Sequence, residues 1–344
     1  SVKESTKNDL ARVDYDGTAS SLLVEPQRTN LVTFSESFGS GKYFDTYNEA
    51  NEVSSNNTSP SGIENATQII STGQGKLYAF ISLPANTTYS FSFYAKNVDA
   101  TEVKSRILAS GGSGGSNLTP VSYISQLSTT EWTKITHIFT TNSTAVQYYV
   151  FISHALSIGG NIQIWGAQLE ESYPTSIIPT SGSTVTRVQE TYTKTGISSK
   201  INSEEGVLFL EVAALSLTSI LEILTLSDGS YSNVVMFRYY DTSSNDIQVQ
   251  VRVAGVTTAS ILFTLTDAKD FNKIAFKYKE NDFALWVNGV EVGTDTSGIT
   301  FTSSTLNKLS FDRGDGGNAL FGKVKQLQVF KTALTDTELA TLTT

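Results

Sequence analysis

The sequence predicts an all-β protein, built as two antiparallel β-sandwiches in series and closed by one short C-terminal helix. Three observations predict it. Thr, Ser and Gly are frequent, and 15 Tyr and 18 Phe stand against 3 Trp; β-branched and aromatic side chains fit a half-buried pleated surface. Apolar residues alternate with a period of two, as where Tyr89, Phe91 and Phe93 are spaced by Ser90 and Ser92, which places three rings on one sheet face. The credible helix signal stands at the end, where Thr335-Asp336-Thr337-Glu338 forms a capping box before Leu339, Ala340 and Leu342.

The elements follow in chain order. Residues 1–19 form a polar leader in which Asp14-Tyr15-Asp16-Gly17 reads as a turn. A first domain spans 20–187. Within it, Leu77–Leu83 and Thr88–Lys96 are strands joined by the turn Pro84-Ala85-Asn86. Trp132–Thr140 and Ala145–Ser153 flank a hairpin-like loop at 141–144, and Gly160–Leu169 is a further strand. Two long loops lie between them, Gly39–Gly62 and the Ser-Gly-Gly-Ser-Gly-Gly-Ser run at 110–116; such surface segments are where binding function tends to reside. The Gly-rich run has no strand-to-helix setting and no following Lys, so it is not a phosphate cradle.

Residues 188–200 are polar and read as a linker, and a second domain spans 201–344. Val207–Val212 is almost continuously apolar, as in a strand buried on both faces. Ile247, Val249, Val251 and Val253 alternate with Gln248, Gln250 and Arg252, a strand with one wet face. Lys273–Lys279 and Phe283–Val287 pair, and Asn288-Gly289 is a type I′ hairpin signal, because that turn needs φ > 0 at both central residues. The final helix is about two turns long and must dock on the sandwich to be stable.

Composition narrows the function. The net charge of −9 disfavours nucleic acid, whose binding rests on Lys and Arg, and disfavours attraction to an anionic membrane. The absence of Cys excludes disulfides, Cys-based zinc sites and thiol nucleophiles. No apolar run reaches the roughly 18 residues of a membrane span. Ser1-Val2-Lys3-Glu4-Ser5 holds no apolar signal core and reads as a point inside a longer chain. The sequons at Asn65, Asn86, Asn117 and Asn142 arise by chance in a Thr/Ser/Asn-rich chain.

No catalytic constellation is evident. Glycosidases need two carboxyl groups facing one cleft. Glu170-Glu171 and Glu204-Glu205 are adjacent and so face opposite ways, Glu211 stands alone, and His137 and His154 lie in separate strand-like segments. The chain is expected not to be an enzyme.

Two resemblances sharpen this reading. Leu22-Leu23-Val24-Glu25-Pro26-Gln27-Arg28-Thr29-Asn30-Leu31 and the stretch from Trp165 to Pro179 resemble the two edges of carbohydrate-binding-type jelly rolls in bacteriophage tail-fibre and receptor-binding proteins. The edge residues are expected to be structural, with Arg28 meeting a carboxylate and Trp165 packed at the sheet edge. The second domain, through Gly206–Glu211, the Trp286-Val287-Asn288-Gly289 hairpin and the closing run from Phe321 to Leu339, looks like a concanavalin A-like, laminin G-like lectin domain.

The resemblance implies a virion tail adhesin, made in the bacterial cytoplasm, that binds host surface polysaccharide, with a homotrimer as an open alternative for its assembly. Accessory carbohydrate-binding modules of a larger secreted bacterial enzyme or adhesin, and a virion spacer without ligand, are the competing readings. Sugar recognition needs an exposed ring to stack on a pyranose and polar neighbours to read its hydroxyls. The candidates are Tyr43, Phe44 and Tyr47, Tyr123 after the Gly/Ser run, and Tyr231, Tyr239 and Tyr240. Asp312, Asp315 and Asn318, in a Gly-rich turn that also holds Arg313, form a candidate calcium site of hard oxygen ligands, and several laminin G-like domains use calcium near such loops.

Overall fold

The computed structural model describes residues 11–16, 18–47, 50–71, 76–110, 121–144, 147–152, 160–217, 222–240 and 244–344, with the side chains at 16, 46, 47, 50–56 and 71 outside that description. The expected all-β class is observed. The chain divides into two compact units, one of residues 27–188 and one of residues 1–26 with 189–344.

The contiguous unit is a sandwich of two five-stranded antiparallel sheets. One runs, in spatial order, Thr133–Thr140, Thr88–Asn97, Gly160–Glu171, Glu64–Ser71, Ala50–Thr58. The other runs Val121–Ser122, Lys104–Ser110, Gln147–Ile152, Lys76–Ser82, Asp45–Tyr47. Tyr89, Phe91 and Phe93 do share the inner face, all buried, and Phe91 stacks at 5.4 Å on Phe93 and 5.5 Å on Phe44. The two strands around residues 141–144 belong to different sheets, so that segment crosses between the layers and is not a hairpin loop. Thr141 holds the crossing, donating to the Pro84 carbonyl at 2.6 Å. The supposed loop Gly39–Gly62 contains the strands Asp45–Tyr47 and Ala50–Thr58.

The second unit packs a seven-stranded sheet on a six-stranded one. Glu205–Ala214 is central in the larger sheet, between Asn272–Lys279 and Gly322–Phe330, and its apolar run is buried on both faces as the sequence suggests. Gly206 is required there by close approach: a Cβ would lie 2.5 Å from the Phe330 carbonyl oxygen and 2.6 Å from the Tyr278 hydroxyl. The Asn288-Gly289 turn has φ of 48° and 86°, the left-handed pair that a type I′ turn demands. The helix Asp336–Thr343 begins with the reciprocal Thr335–Glu338 capping box, and Leu339 is buried with Val207, Phe209 and Trp286.

The boundaries differ from the sequence reading. Val13–Asp16 and Ala19–Val24, placed by sequence in the leader and the first domain, pair with each other, and the latter pairs with Gly322–Phe330 of the second unit. The linker at 188–200 holds the strand Thr193–Thr195, which pairs with Lys308–Ser310. The first sandwich is thus inserted into the chain of the second. Short polar strands such as Thr193–Thr195 carry no apolar period, so their partner is set by tertiary pairing alone.

Candidate functional site

The sheet of the contiguous unit that contains Lys76–Ser82 and Gln147–Ile152 carries an unusual outer face. On Lys76–Ser82, Leu77 and Ala79 point inward and are buried, so Lys76, Tyr78, Phe80 and Ser82 point outward. On Gln147–Ile152, Tyr148 and Val150 are in the core, and Gln147, Tyr149 and Phe151 face out. Register then builds rows across the sheet. Asp45, Tyr78, Phe151 and Arg106 are paired in one row; Phe80, Tyr149 and Leu108 form the next; Ser82, Gln147 and Ser110 form the third. Rows along a strand are separated by about 7 Å.

The middle of this face is a continuous ring surface. Phe80 and Tyr149 lie 4.7 Å apart, Tyr149 and Phe151 5.9 Å, Tyr78 and Tyr149 6.2 Å, and Tyr78 and Phe151 6.4 Å. Phe80 is 44% exposed. Lys76 Nζ sits 5.4 Å from the Phe151 centroid, and its ammonium is held below its usual range by burial and then by Arg106. Lys76, Tyr78, Leu108, Tyr149 and Phe151 line a cavity of about 290 Å³. A larger cavity of about 510 Å³ at the sandwich edge, between Arg28 and Glu171, offers Tyr89 as its aromatic ring, and that residue is only 3% exposed. On this face Phe80 is open to solvent, Tyr78 and Tyr149 are half-buried and Phe151 is buried; an exposed ring with carboxylate, amide and cationic groups in its own or flanking rows can stack on the C–H face of a sugar and read its hydroxyls, a need that the Phe80 face meets and the edge cavity does not.

The residues singled out by sequence are placed differently. Phe44 is fully buried in the core. Tyr43 is half-buried against it, 5.5 Å edge to face, and burial drives its phenol pKa upward. Tyr47 ends a strand of the aromatic sheet, with its side chain outside the described residues. Tyr123 is buried and donates to the Thr136 carbonyl at 3.1 Å, with its pKa pushed up to about 12 by burial. Tyr239 is buried edge to face on Phe237 at 5.3 Å. Phe44, Tyr123 and Tyr239 are therefore core rings, each packed in the interior of its sandwich. Tyr231 is half-buried and Tyr240 is 39% exposed, both on the outer face of the six-stranded sheet. Tyr78, Phe80, Tyr149 and Phe151 were not foreseen. Their signal was present: Lys76–Ser82 is apolar at both parities, which on a two-layer sandwich leaves one aromatic set facing out.

The Gly-rich turn at 312–318 does not fit a cation. Asp312 Oδ1 accepts the backbone N–H groups of Gly314 and Gly316 at 2.6 and 3.3 Å. Asp315 takes the Arg313 guanidinium at 3.0 and 2.8 Å and the Gly317 N–H at 3.1 Å. The Asn318 carbonyl accepts from Ile223 N–H at 3.0 Å. Among the described residues no three His, Asp or Glu side chains gather as a metal site. His137 is buried beside Ser105 Oγ at 3.1 Å, and burial lowers its pKa, so it is neutral at pH 7. His154 lies outside the described residues.

The jelly-roll edge motif is structural. Asn30 Nδ2 donates to the carbonyls of Ala167 and Ile178, and its Oδ1 accepts from Val32 and Leu169. Buried Glu170 accepts from Gln168, from the Thr175 N–H and from the Thr175 hydroxyl. Trp165 is buried at 5.6 Å from Tyr94. Arg28 stacks on Tyr173 at 4.7 Å and, among the described residues, forms no carboxylate ion pair.

Two family models match the chain. A carbohydrate binding domain matches residues 33–155, and the concanavalin A-like lectin/glucanases superfamily matches residues 216–340. The chain therefore carries a carbohydrate-binding-type domain followed by a concanavalin A-like domain. No curated protein matches it. Among solved structures, the carbohydrate-binding module of a Ruminococcus gnavus IT-sialidase bound to α2,3-sialyllactose is 19% identical, over 43% of this chain and 86% of that one, with a TM-score of 0.36. A heptameric SAP-like pentraxin from Limulus polyphemus is 14% identical over 42% and 71%, TM-score 0.34. Domain 4 of an extracellular arabinanase from Geobacillus stearothermophilus, in complex with arabinotriose, is 13% identical over 47% and 74%, TM-score 0.34. Among the described residues no helix is long and apolar enough to cross a membrane.

Proposed function

We propose that this chain is a non-enzymatic adhesin segment of a phage tail fibre, and that it binds host bacterial surface polysaccharide through the outer face formed by Tyr78, Phe80, Tyr149 and Phe151. The observation that carries the glycan reading is the cross-strand register that sets these four rings side by side, with Asp45, Arg106 and Gln147 in the same or flanking rows. Rings held by the sheet lose little conformational freedom on binding, so the protein side of the contact is preorganised. The tail-fibre reading is supported by the edge motifs at Leu22–Leu31 and Trp165–Pro179. In that setting the protein resides in the virion tail, and a homotrimer would present three such faces together.

The test is binding of fluorescent protein to a panel of bacterial cells and to a glycan array, with wild type and Tyr149→Ala compared. Selective binding by wild type that falls in the variant supports the reading. Undiminished binding in the variant overturns the assignment of this face. Binding confined to purified plant-type polysaccharides, with no cell bound, overturns the tail-fibre reading.

A further inference from the structure

The outer face of the six-stranded sheet in the other unit carries a second feature, independent of the aromatic platform. Arg238 and Gln248 are directly paired, as are Gln248 and Leu262, and Arg252 lies on the same face of its strand as Gln248. The Tyr231 ring sits between two guanidinium groups, 4.4 Å from Arg252 and 5.1 Å from Arg313. Arg238 stacks on Tyr240 at 5.0 Å. Arg313 is neutralised by Asp315. Arg238 and Arg252 are not: Arg238 donates to Gln248, and Arg252 donates to Thr257 Oγ1 at 3.3 Å and to the Gly255 carbonyl at 2.6 Å. Among the described residues neither has an ion pair; burial first, and the Arg252 charge after it, lower the Arg238 pKa.

A chain of net charge −9 thus places two guanidinium groups that have no ion pair among the described residues on one sheet face, where the carboxylate of Asp246, opposite Tyr240, accepts from the Thr264 hydroxyl. Guanidinium groups held over rings are restricted in position, and their N–H edges match the planar fork of an oxyanion. Beside them, Tyr240 is 39% and Leu262 52% exposed, an apolar surface that a bare inorganic anion would not use. The overall negative charge does not oppose local binding, because charges beyond about 8 Å are largely screened at physiological salt.

We infer that this face is a second binding site, for an acidic saccharide whose carboxylate or phosphate lies on Arg238 and Arg252 while its sugar ring lies on Tyr240. The test is affinity electrophoresis in native gels containing polygalacturonate, poly(glycerol phosphate) or neutral dextran, each compared with a polymer-free gel. Wild type is expected to be retarded by at least one acidic polymer and not by dextran, and the polymer that acts names the source of the anion. Arg238→Gln/Arg252→Gln is expected to bind about tenfold more weakly, the loss of charge-assisted hydrogen bonds. Should Arg238→Gln lower the melting temperature, Arg252→Gln alone carries the test. The inference is overturned if neither acidic polymer retards the protein, if dextran retards it equally, or if the arginine variants are retarded as strongly as wild type.

Discussion

Glu25 and Glu190 are clasped to each other at the point where the chain leaves and re-enters the discontinuous unit. The Glu25 N–H donates to Glu190 Oε2 at 2.5 Å, and the Glu190 N–H donates to the Glu25 carbonyl at 3.1 Å. Arg12 Nη1 then bridges both carboxylates, at 2.8 Å to Glu25 and 2.5 Å to Glu190. All three side chains are 15% exposed or less. Removing this cation takes away the bridge between two close carboxylates that see little water. Arg12→Ala is expected to destabilise this unit by about 3–5 kcal/mol, read as a lower denaturant midpoint; a midpoint equal to wild type would show that the clasp is dispensable.

Phe80 separates binding from stability. Its exposed ring contributes little to the core, so Phe80→Ala is expected to change stability by no more than about 0.5 kcal/mol. Its loss from the platform is expected to weaken glycan binding about tenfold. Thermal melting and the glycan array, run on the same variant, check both statements.

Much of this was legible in the sequence. The Asn288-Gly289 hairpin, the Thr335–Glu338 cap and the alternation of Tyr89, Phe91 and Phe93 are local signals, each determined by neighbours within a few residues. The assignment of strands to sheets was not legible. Nothing in the short polar segment at 141–144 distinguishes a turn within one sheet from a crossing between two. Likewise Tyr148 and Tyr149 are chemically alike, and only the packing of the layers decides that the first is core and the second platform.

Gly206 tests the close approach within the central strand. Gly206→Ala would push a methyl group into the Phe330 carbonyl and the Tyr278 hydroxyl, and Tyr278 is anchored by its 2.7 Å bond to the Asn202 carbonyl. Overpacking of this kind is expected to cost about 1–3 kcal/mol. Equilibrium urea unfolding measures it, and an unchanged midpoint would mean that the strands separate freely there.

The turn at Asp312 is expected to stand without metal. EDTA should leave the melting temperature unchanged, whereas Asp312→Ala should lower stability by about 1 kcal/mol through loss of the acceptor for two backbone N–H groups. A melting temperature that falls with EDTA and recovers with calcium would contradict the self-bonded turn.

His137 gives the contiguous unit a pH dependence of known sign. Burial lowers its folded pKa below the ordinary 6.5, so the unfolded chain binds more protons in that interval. Its stabilising contribution is complete above pH 6.5 and is lost as pH falls below that value toward the folded pKa. Melting curves from pH 7.5 to 5 should show the decline, and His137→Gln should flatten it.

The insertion also dictates a schedule for synthesis. Val13–Asp16 and Ala19–Val24 emerge before the contiguous unit, yet Ala19–Val24 pairs with Gly322–Phe330, about 300 residues later in the sequence. The contiguous unit can complete its own layers in the meantime, since Arg28–Asn30 pairs with Val185–Arg187 within it. On the ribosome this ribbon therefore waits, one edge unpaired, until Gly322–Phe330 has been translated. A nascent-chain truncation before that strand would hold a finished inner cassette and an unfinished outer one.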